Sequence, residues 1–369
     1  MLTILHTESS SGWGGQENRT LHECLGLKRT FGERVIVLCR PGSGLEKRAR
    51  AAGLEVLTNG LRSSHDIAAV KFVAGLIKRE GVDVVSTHSG VDSFLCAVAA
   101  RLSRRRPVIV RTRHLALPIT SKTTYSLLPH RVVTVSEYVR RHLVDGKGLK
   151  GGMVVTIPTG IDLERFNPDK TPHTFRQGAG FGQDDLIVGT VAILRRKKGH
   201  HLLLDAIPLV LKELPRVNFV FAGDGPQREN IEGKIKELGI EKSVTLLGLR
   251  ADVECVLKGI DLFVLPTLQE ALGTSILEAS AMGRAVISTR VGGVPEVVVE
   301  GVTGQLVEPE DSGALADAII KLLKDGALRR SMGEEGRRMV TKEFSTERMV
   351  ERMHGLYAGL CNGRGRGRP

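Results

Sequence analysis

Short runs of β-branched residues alternate with longer stretches of helical periodicity along most of the chain. This alternation is typical of parallel sheets whose strands are joined by crossover helices. A polar, glycine-rich stretch from Pro158 to Asp185 separates two series of predicted strands. The first series is Leu2–His6, Arg34–Cys39, Asp83–Thr87, Val108–Thr112, Val132–Val135 and Met153–Ile157, and the second is Leu186–Ile193, Val217–Ala222, Val244–Leu247, Leu262–Leu265 and Ala285–Ser288.

The length of the chain also indicates two domains, because single cores stop growing near ~250–300 residues and the chain has 369. The fold class predicted is therefore α/β, with two tandem Rossmann-like, doubly wound domains. We expect an N-terminal domain at 1–166, a C-terminal domain at 167–344, a helix at 345–360 that packs back on the first domain, and a basic, disordered tail at 361–369. Ligands of such folds bind at the carboxyl ends of the strands. Other predicted helices include Ile67–Arg79, Glu137–Val144, His200–Leu214 and Ser312–Lys324.

The composition, 41% hydrophobic and 25% charged, is that of a soluble globular protein and excludes collagen-like, coiled-coil and disordered classes. Five scattered cysteines without a C-x-x-C pair suggest neither a zinc site nor a disulfide framework, so a reducing cytoplasm fits best. Apolar stretches such as Phe94 to Ala100 are far shorter than the ~20 residues of a membrane-spanning helix, and we expect no signal peptide and no anchor. His88, His200 and His201 show no metal-like spacing and are interpreted as structural.

The net charge of +12 is unevenly distributed along the chain. Residues 1–166 hold 25 lysines and arginines against 14 acidic residues, whereas residues 167–369 hold 28 against 27. A basic first half is compatible with nucleic acid, anionic lipid or a phosphorylated substrate as a partner. Six arginines without an intervening acidic residue fall within thirteen positions: Arg101, Arg104, Arg105, Arg106, Arg111 and Arg113.

The most specific motif is EALGTSILE, which begins at Glu270, follows a predicted strand and opens a predicted helix. Gly273 permits a tight turn there. The free N–H groups of Gly273, Thr274 and Ser275 at a helix N-terminus form a ready site for a diphosphate. Glu278, in the first helical turn, can accept both hydroxyls of a ribose, with Glu270 facing the sugar end of the same ligand. The alternative is a simple capping box of Ser275 and Glu278 beside a solvated Glu270.

Two segments of the first half also lie where crevice residues of an α/β sheet are expected. Gly14 and Gly15 follow the first predicted strand and lead into a helix, so their backbone can approach a ligand closely. As a dinucleotide fingerprint this segment is weak, because Glu17 stands where a third glycine belongs, and a nicotinamide enzyme is disfavoured. His114 lies just past a later predicted strand, although a lone histidine is most often structural.

Taken in order along the chain, the motifs resemble those of the retaining family 4 glycosyltransferases, which are group 1 enzymes with the GT-B fold. The E-x₇-E motif of that family matches Glu270 and Glu278, and its G-G-x-E loop matches Gly14, Gly15 and Glu17. The resemblance covers almost the whole chain except the arginine-rich tail. Further similar segments are the linker IPTGID at 157–162, the turn AGDGP at 222–226, and the loops VGGVPE at 291–296 and GVTG at 301–304.

The resemblance implies an enzyme with an inter-domain cleft that transfers a sugar from a nucleotide-diphosphate sugar with retention of anomeric configuration. The implied acceptor is a cell-surface glycan or a lipid-linked molecule, as in lipopolysaccharide or polysaccharide biosynthesis. No cofactor or metal is expected, since the sequence lacks a D-x-D motif. The implied catalytic residues are His114 and Glu270, and the implied donor-binding residues are Gly14, Gly15, Arg195, Lys198, Gly273, Thr274, Ser275 and Glu278.

A basic loop after the strand that ends at Ile193 is expected to neutralise the phosphates of the donor. In the family that the chain resembles, an arginine stands five residues before the lysine of a K-G pair. Here Lys198 and Gly199 match that pair, but Ile193 occupies the position of the arginine. We assign the role of that arginine to Arg195, with Arg196 as the alternative. The loop could instead be a solvated basic segment without a role in binding.

The arginine cluster is expected to meet the acceptor or an anionic membrane surface, through Arg104, Arg105, Arg106, Arg111 and Arg113. The protein would then be cytoplasmic and peripheral on the inner face of the membrane. Arg111 and Arg113 could instead pair with acceptor phosphates or structural carboxylates. The rival functions are a nucleotide-sugar epimerase and a nucleic-acid-binding protein. Three tyrosines and one tryptophan leave little for base stacking, and no nucleic-acid partner is expected.

Overall fold

Two units make up the chain in the computed structural model, and each has its own parallel sheet. Unit 1 is Met1–Gly160 together with the C-terminal residues from Thr346, and unit 2 is Ile161–Ser345. The predicted α/β class with two doubly wound sheets is therefore confirmed. The structure describes residues 1–115, 117–119 and 121–365.

The strands of both sheets run parallel to their neighbours, as expected where helices connect successive strands. Those of unit 1 are β1 Thr3–Glu8, β2 Arg34–Cys39, β3 Glu55–Thr58, β4 Val84–Thr87, β5 Val108–Arg113, β6 Arg131–Thr134 and β7 Val154–Thr156. Those of unit 2 are β8 Ile187–Val191, β9 Asn218–Ala222, β10 Val244–Gly248, β11 Leu262–Leu265, β12 Ala285–Thr289 and β13 Gly304–Val307.

Helices occupy most of the connections between the strands, and the last helix belongs to unit 1 although it follows unit 2 in the sequence. In chain order they are α1 Gly15–Phe31, α2 Gly44–Ala51, α3 Ile67–Arg79, α4 Gly90–Leu102, α5 Thr123–Ser126, α6 Glu137–Val144, α7 Phe175–Gly178, α8 His200–Glu213, α9 Arg228–Glu237, α10 Val253–Gly259, α11 Thr274–Ala281, α12 Ser312–Lys324, α13 Gly326–Glu343 and α14 Thr346–Gly365. No helix of residues 1–115, 117–119 and 121–365 has both the length and the apolar character needed to cross a bilayer.

Three helices, α3, α6 and α12, have the bounds that the sequence predicts, and each begins after a side-chain cap. Asp66 accepts from Ala69 N at 2.9 Å, Ser136 from Val139 N at 3.2 Å, and Asp311 caps α12 in the same way. Each cap satisfies an N–H that the first turn leaves unpaired, which stabilises a helix by ~1 kcal/mol. Local capping chemistry therefore fixes these starts.

Each sheet contains one point at which the order of its strands reverses. The order is β3-β2-β1-β4-β5-β6-β7 in unit 1 and β10-β9-β8-β11-β12-β13 in unit 2. The reversals lie between β1 and β4 and between β8 and β11. Connections from the two strands at such a point lead in opposite directions, so their loops separate and leave a crevice. The loops after β1, β8 and β11 carry the motifs singled out above.

The sheet of unit 1 is buried on both faces, and successive residues of its strands alternate between two apolar clusters. Ile4 packs with α1, α2 and α14, whereas Leu5 packs with α3 and α4. Val35 and Ile36 on β2 divide in the same way. This alternation is the period-2 geometry of a strand covered on both sides. The C-terminal helix α14 covers part of one of these two faces.

The division between the units lies six residues before the predicted boundary at 166/167. The N–H of Ile161 donates to Phe344 O at 2.7 Å, and Phe166 is buried within unit 2. Arg165 also bonds Glu254 at 2.9 Å, so this segment belongs to the second unit by its contacts. The predicted disordered tail is wrong for 361–365, because α14 continues to Gly365. Residues 366–369 lie outside the described residues.

Candidate active site

Close backbone contacts hold together the loops at the carboxyl edge of the unit 2 sheet. Gly199 has a φ of +71°, and a Cβ added there would stand 1.7 Å from the carbonyl oxygen of Pro266. A Cβ on Gly223 would stand 2.0 Å from a carbonyl of the loop after β8, and one on Gly292 would stand 1.9 Å from the carbonyl oxygen of Glu270. Only glycine permits such approaches. The AGDGP and VGGVPE segments are therefore required for the packing of these loops.

The loop after β11 enters α11 through Gly273, whose φ of +104° favours glycine. Gly273 is the N-cap, and within the described residues no side chain caps this helix, so Ser275 and Glu278 do not form the alternative capping box. The N–H of Ile276 donates to Gly273 O at 3.0 Å. The N–H groups of Thr274 and Ser275 therefore remain outside the hydrogen-bonding pattern of the helix. With the helix dipole, they favour an anion at this edge.

Lys198 and Glu270 form an ion pair at the same edge, in which Nζ donates to Oε2. Lys198 ends a 3₁₀ turn in the loop after β8, and Glu270 lies in the loop after β11. Their side chains are 16% and 15% exposed, so the pair is shielded from most solvent. Shielding strengthens the attraction between the two charges. The structure thus pairs Lys198, which the sequence analysis assigns to the donor phosphates, with Glu270, which it assigns to the sugar.

Glu278 begins the second turn of α11, so its predicted place in the first turn is wrong. The side chain is half-buried, and this burial raises the pKa of the carboxyl to about 7. The guanidinium of Arg165 opposes that increase, and the carboxylate of Glu254 adds to it. A carboxyl that titrates near neutrality exchanges its proton readily when a ligand offers hydrogen-bond donors.

Arg195 and Arg196 are exposed on the loop after β8. Leu194, which lies between the strand and these two arginines in the sequence, is fully buried and anchors the loop. The N–H of Leu194 donates to Asp224 O at 3.0 Å, and its carbonyl accepts from Gln227 N at 2.9 Å. A fixed backbone with two exposed guanidinium groups is suited to binding phosphates at the crevice.

In unit 1 the loop after β1 enters α1 through Gly14, an N-cap with extended backbone, and Gly15 is the first helical residue. Gln16 Nε2 donates to Glu8 Oε2 at 2.7 Å and to Ser89 Oγ at 2.8 Å. These bonds tie the start of α1 to the carboxyl ends of β1 and β4. The backbone of Gly14 and Gly15 is thereby held at the reversal point of the sheet.

A buried pair of carboxyl groups lies beneath this loop, and the sequence analysis missed it. Glu8 and Asp92 are both fully buried. Burial raises the pKa of Glu8 to about 7, to which Asp92 contributes, and burial raises the pKa of Asp92 to about 6. Asp92 accepts from the N–H groups of His88 at 2.9 Å and Ser89 at 3.0 Å. The S-x-x-D pattern at 89–92 was the available signal, because it is that of a capping box.

His114 follows β5 directly and is buried beside a second histidine. Its Nε2 lies 3.1 Å from Nδ1 of His88, and Nε2 of His88 lies 3.1 Å from Nδ1 of His6 on β1. Burial lowers the pKa of all three imidazoles, and the net pKa of each is below the ordinary value. The guanidinium of the buried Arg19 also lowers each pKa, whereas the carboxylate of Glu23 opposes the decrease at His6. The three rings are therefore neutral at pH 7. The burial of His88 between the other two rings is compatible with its interpretation as structural, and the sequence analysis did not identify His6.

The predicted basic surface divides into two parts that lie at opposite ends of β5. Residues 104–106 precede this six-residue strand, whereas His114 follows it, which separates them by roughly 20 Å. Arg111 is only 5% exposed, and its guanidinium lies 3.6 Å from the ring centre of Tyr125. Its assignment to an acceptor or membrane surface is therefore wrong, because the side chain packs inside unit 1. Arg113 is half-buried and donates to the carbonyl of Leu117 at 2.6 Å.

Two family models match the chain, one in its N-terminal half and one in its C-terminal half. The model described as Glycosyltransferase Family 4 matches residues 13–165, and that described as Glycosyl transferases group 1 matches residues 173–339. The matched ranges include the Gly14 loop, the basic loop after β8 and both glutamates of the E-x₇-E motif. The chain belongs to the group 1 glycosyltransferases.

Curated relatives of this glycosyltransferase support the assignment over most of its length. It is 28% identical to N-acetyl-alpha-D-glucosaminyl L-malate synthase of Bacillus anthracis, over 79% of each chain. It is 25% identical to UDP-Gal:alpha-D-GlcNAc-diphosphoundecaprenol alpha-1,3-galactosyltransferase of Escherichia coli, over 86% of this chain and 85% of that protein. The predicted glycosyltransferase activity is thereby confirmed.

A solved structure of HepE from Anabaena, in complex with UDP-glucose, has the same fold as this glycosyltransferase. The TM-score is 0.84 at 21% identity, and the similarity covers 97% of this chain and 100% of that one. The GT-B fold predicted from the sequence is confirmed.

Proposed function

We propose that this glycosyltransferase is a retaining enzyme that moves a sugar from a nucleotide-diphosphate sugar to a cell-surface glycan or lipid-linked acceptor without a metal. The observation that carries the proposal is the carboxyl edge of unit 2. Three features lie there, after the adjacent strands β8 and β11: a helix start that no side chain of the described residues caps, the Lys198–Glu270 ion pair and the half-buried Glu278. A nucleotide-diphosphate sugar offers the matching groups, namely two anionic phosphates and the hydroxyls of two sugars.

The donor is assigned to unit 2. The first N–H groups of α11 and the cations of the loop after β8 bind the diphosphate, and Glu278 accepts hydrogen bonds from the ribose hydroxyls. Lys198 has three N–H donors, so it can hold Glu270 and a phosphate oxygen at the same time. The ion pair would then orient Glu270 towards the transferred sugar. Neutral His114 of unit 1 is assigned to the same sugar.

The reaction breaks the bond between the anomeric carbon and the diphosphate oxygen, and negative charge develops on that oxygen. Preorganised N–H groups and cations stabilise such charge in the transition state. We propose that the acceptor hydroxyl attacks on the face from which the diphosphate departs, and that its proton passes to the departing phosphate oxygen. Configuration is then retained, and no protein carboxylate acts as nucleophile.

Names of the similar proteins support the donor and acceptor classes. The Escherichia coli relative is named for a UDP-sugar donor and a lipid diphosphate acceptor, and the Anabaena structure contains UDP-glucose. We therefore propose a UDP-sugar as the donor and assign the enzyme to polysaccharide or lipopolysaccharide biosynthesis. Thermal unfolding with UDP, GDP and ADP tests the donor class, because a ligand of the native state raises the melting temperature.

The reaction is tested by incubating a UDP-sugar with lipid-linked saccharide acceptors and determining the anomer of the product by NMR. Transfer with a retained anomer supports the proposal, and an inverted anomer contradicts it. Isomerisation of the donor without acceptor would indicate an epimerase instead. Transfer that is abolished by a chelator and restored by a divalent cation would overturn metal independence. A salt-sensitive shift of generic DNA by the protein would contradict the expectation that it has no nucleic-acid partner.

We also propose that the amino edge of the unit 1 sheet contacts an anionic membrane surface from the cytoplasmic side. The lining of a cavity of about 1060 Å³ at this edge includes the basic residues Lys78, Arg101 and 104–106, and one acidic residue, Asp83, which pairs with Arg105. Arg104 is exposed, and each basic group near an anionic bilayer contributes ~1 kcal/mol to binding. Cys24, Cys39, Cys96 and Cys255 are buried thiols, in accord with a reducing compartment.

Co-sedimentation with vesicles containing an anionic lipid tests the membrane proposal. Binding at low salt that decreases as salt rises is expected, and Arg104→Glu should weaken it more than Arg62→Glu, an exposed arginine elsewhere in unit 1. Equal binding to neutral vesicles, or equal effects of the two substitutions, would contradict the proposal.

A further inference from the structure

Three buried histidines of unit 1 form a line that begins at the residue assigned to the sugar. From His114 through His88 to His6, the bonded ring nitrogens are 3.1 Å apart at both steps. The residues are 8%, 4% and 0% exposed, so the line runs from the carboxyl edge of the sheet into the unit. In the described part of the chain, no three histidine, cysteine or carboxylate side chains are placed to share a metal ion. The rings bond in series.

Each ring has one N–H group and one bare nitrogen, because all three imidazoles are neutral. Burial and the guanidinium of Arg19 lower the pKa of each ring, as described above. A hydrogen bond between two rings requires an N–H on one side and a lone pair on the other. The protons in the line must therefore all point the same way, either inward to His6 or outward to His114.

The inner end of the line selects the inward direction. His6 Nε2 lies 3.9 Å from Glu23 Oε1, and within the described residues neither His6 Nε2 nor Glu23 Oε2 has a hydrogen-bond partner. An N–H at Nε2 is attracted by the carboxylate, whereas a lone pair there is repelled by it. Tyr357 on α14 holds that carboxylate in place, since its hydroxyl donates to Glu23 Oε1 at 2.7 Å.

We propose that His88 and His6 are positioning residues that hold His114 in one tautomer, with the proton on Nε2 and the lone pair on Nδ1. His114 donates from Nε2 to His88, and His88 donates from Nε2 to His6. Nδ1 of His114 then accepts a hydrogen bond from a hydroxyl of the transferred sugar. This last step rests on the proposed function, whereas the tautomer is a property of the protein alone.

NMR of protein labelled with ¹⁵N-histidine tests the tautomer directly, because the nitrogen shifts distinguish protonated from bare ring nitrogens. The expected spectrum shows His114 with a proton on Nε2 only. His88→Leu removes the bonding partner, and His114 should then become a mixture of tautomers. His88→Gln should preserve the single tautomer, since an amide can accept from His114 and donate to His6. His65→Leu, an exposed histidine of the same unit, is the control for assignment.

Kinetics separate positioning from a loss of packing. His88→Leu should lower kcat about tenfold or more, with a smaller change in the donor KM, and His88→Gln should recover much of the loss. Leu76→Ala on α3 removes buried apolar contacts without touching the line, so it should lower stability but leave the His114 spectrum unchanged.

The proposal is overturned if His114 in the wild-type protein has its proton on Nδ1, or if the single tautomer persists in His88→Leu while kcat falls. Failure of the proposed function looks different. In that case no nucleotide sugar is used as a donor, while the ¹⁵N spectra of the wild-type and variant proteins still report whether the line fixes the tautomer.

Discussion

The sheets of both units contain the same kind of reversal in strand order, but the carboxyl edges at these reversals are built in different ways. In unit 1 the edge consists of buried polar side chains: the carboxyl groups of Glu8 and Asp92, which accept hydrogen bonds from neighbouring groups, and the line of three histidines, which bond one another. In unit 2 glycines bring the loops into backbone contact, and the polar side chains that they carry stay half-buried or exposed.

This difference separates two means of preorganising a site. Unit 1 fixes the positions of protons, because each ring in the line can donate only where its neighbour accepts. Unit 2 fixes the positions of backbone N–H groups and leaves Lys198, Glu270 and Glu278 able to exchange partners when an anion binds. The comparison predicts that backbone substitutions damage unit 2 through folding and that side-chain substitutions damage it through ligand binding and turnover.

The largest effect is expected for Gly199→Ala. The new Cβ would meet the carbonyl oxygen of Pro266 at 1.7 Å, so the loops after β8 and β11 cannot keep their contact, and we expect a loss of more than ~3 kcal/mol. Gly239→Ala is the matched control, because its φ of +65° is similar but the added Cβ would meet no non-neighbouring atom of the described residues within 4 Å. It should cost only ~1–2 kcal/mol. Urea unfolding measures both. Equal losses would show that backbone strain, and not loop contact, is the reason for glycine.

The next effect concerns Lys198→Met, which removes the cation shared by Glu270 and the proposed diphosphate site. We expect kcat to fall about 100-fold, as for removal of one preorganised donor to developing charge. Lys212→Met, at an exposed position of α8, should leave turnover unchanged. A large drop in melting temperature with unchanged kcat would instead mean that the ion pair serves stability, and the contrast between the units would be weaker.

A smaller effect is expected for UDP affinity in Glu278→Gln. Ribose hydroxyls donate to an ionised carboxylate, so binding favours loss of the proton, and wild-type affinity should increase as pH rises through about 7. The variant should bind UDP about tenfold more weakly at pH 8. Calorimetry at pH 6 and pH 8 measures both proteins beside Glu237→Gln, an exposed control. Titration of UDP itself contributes equally to all three. The same pH dependence of UDP affinity in all three proteins would show that Glu278 does not bind the nucleotide.

The smallest effect is on thermal stability without ligand. The pKa of Glu278 in the folded protein, about 7, lies above the ordinary value of 4.5, so the native state holds this proton more tightly than the unfolded chain. The resulting stabilisation is complete below pH 4.5 and is lost as pH rises to 7. Glu278→Gln lacks this loss. A pKa shift of this size is worth ~3 kcal/mol in full, but solvent screening of the half-buried side chain reduces it. The melting temperature of the variant relative to wild type should therefore increase between pH 5 and pH 8 by the equivalent of ~1 kcal/mol. A constant difference would contradict the raised pKa.

Local patterns predicted most of the fold, because strands of buried parallel sheets and capped helices leave signals within a few residues. The sequence analysis missed β3 and β13, which are four residues long and lie at sheet edges. Glu55 on β3 is exposed, and β13 begins with Gly304, so neither strand has a continuous apolar run. Edge strands bury less surface, and their sequences are less restricted.

The candidate site also has one part that the sequence predicts and one part that it does not. The unit 2 motif could be read because its turn, helix start and two carboxylates fall within nine residues. The line of histidines could not be read, because His6 and His88 are separated by 82 positions and His88 and His114 by 26. Their contact depends on the order β1-β4-β5, which the sequence does not reveal. The burial of Arg111 against Tyr125 is a tertiary contact of the same kind.

The return of α14 to unit 1 means that unit 2 is a continuous insertion in the sequence of unit 1. The first and last residues of this insertion, Ile161 and Ser345, pair as a parallel bridge, so the segment begins and ends at one place. A segment with adjoining ends can be exchanged without stretching the chain on either side. Unit 2 of one group 1 glycosyltransferase could therefore be transplanted into unit 1 of another, with 160/161 and 345/346 as the junctions.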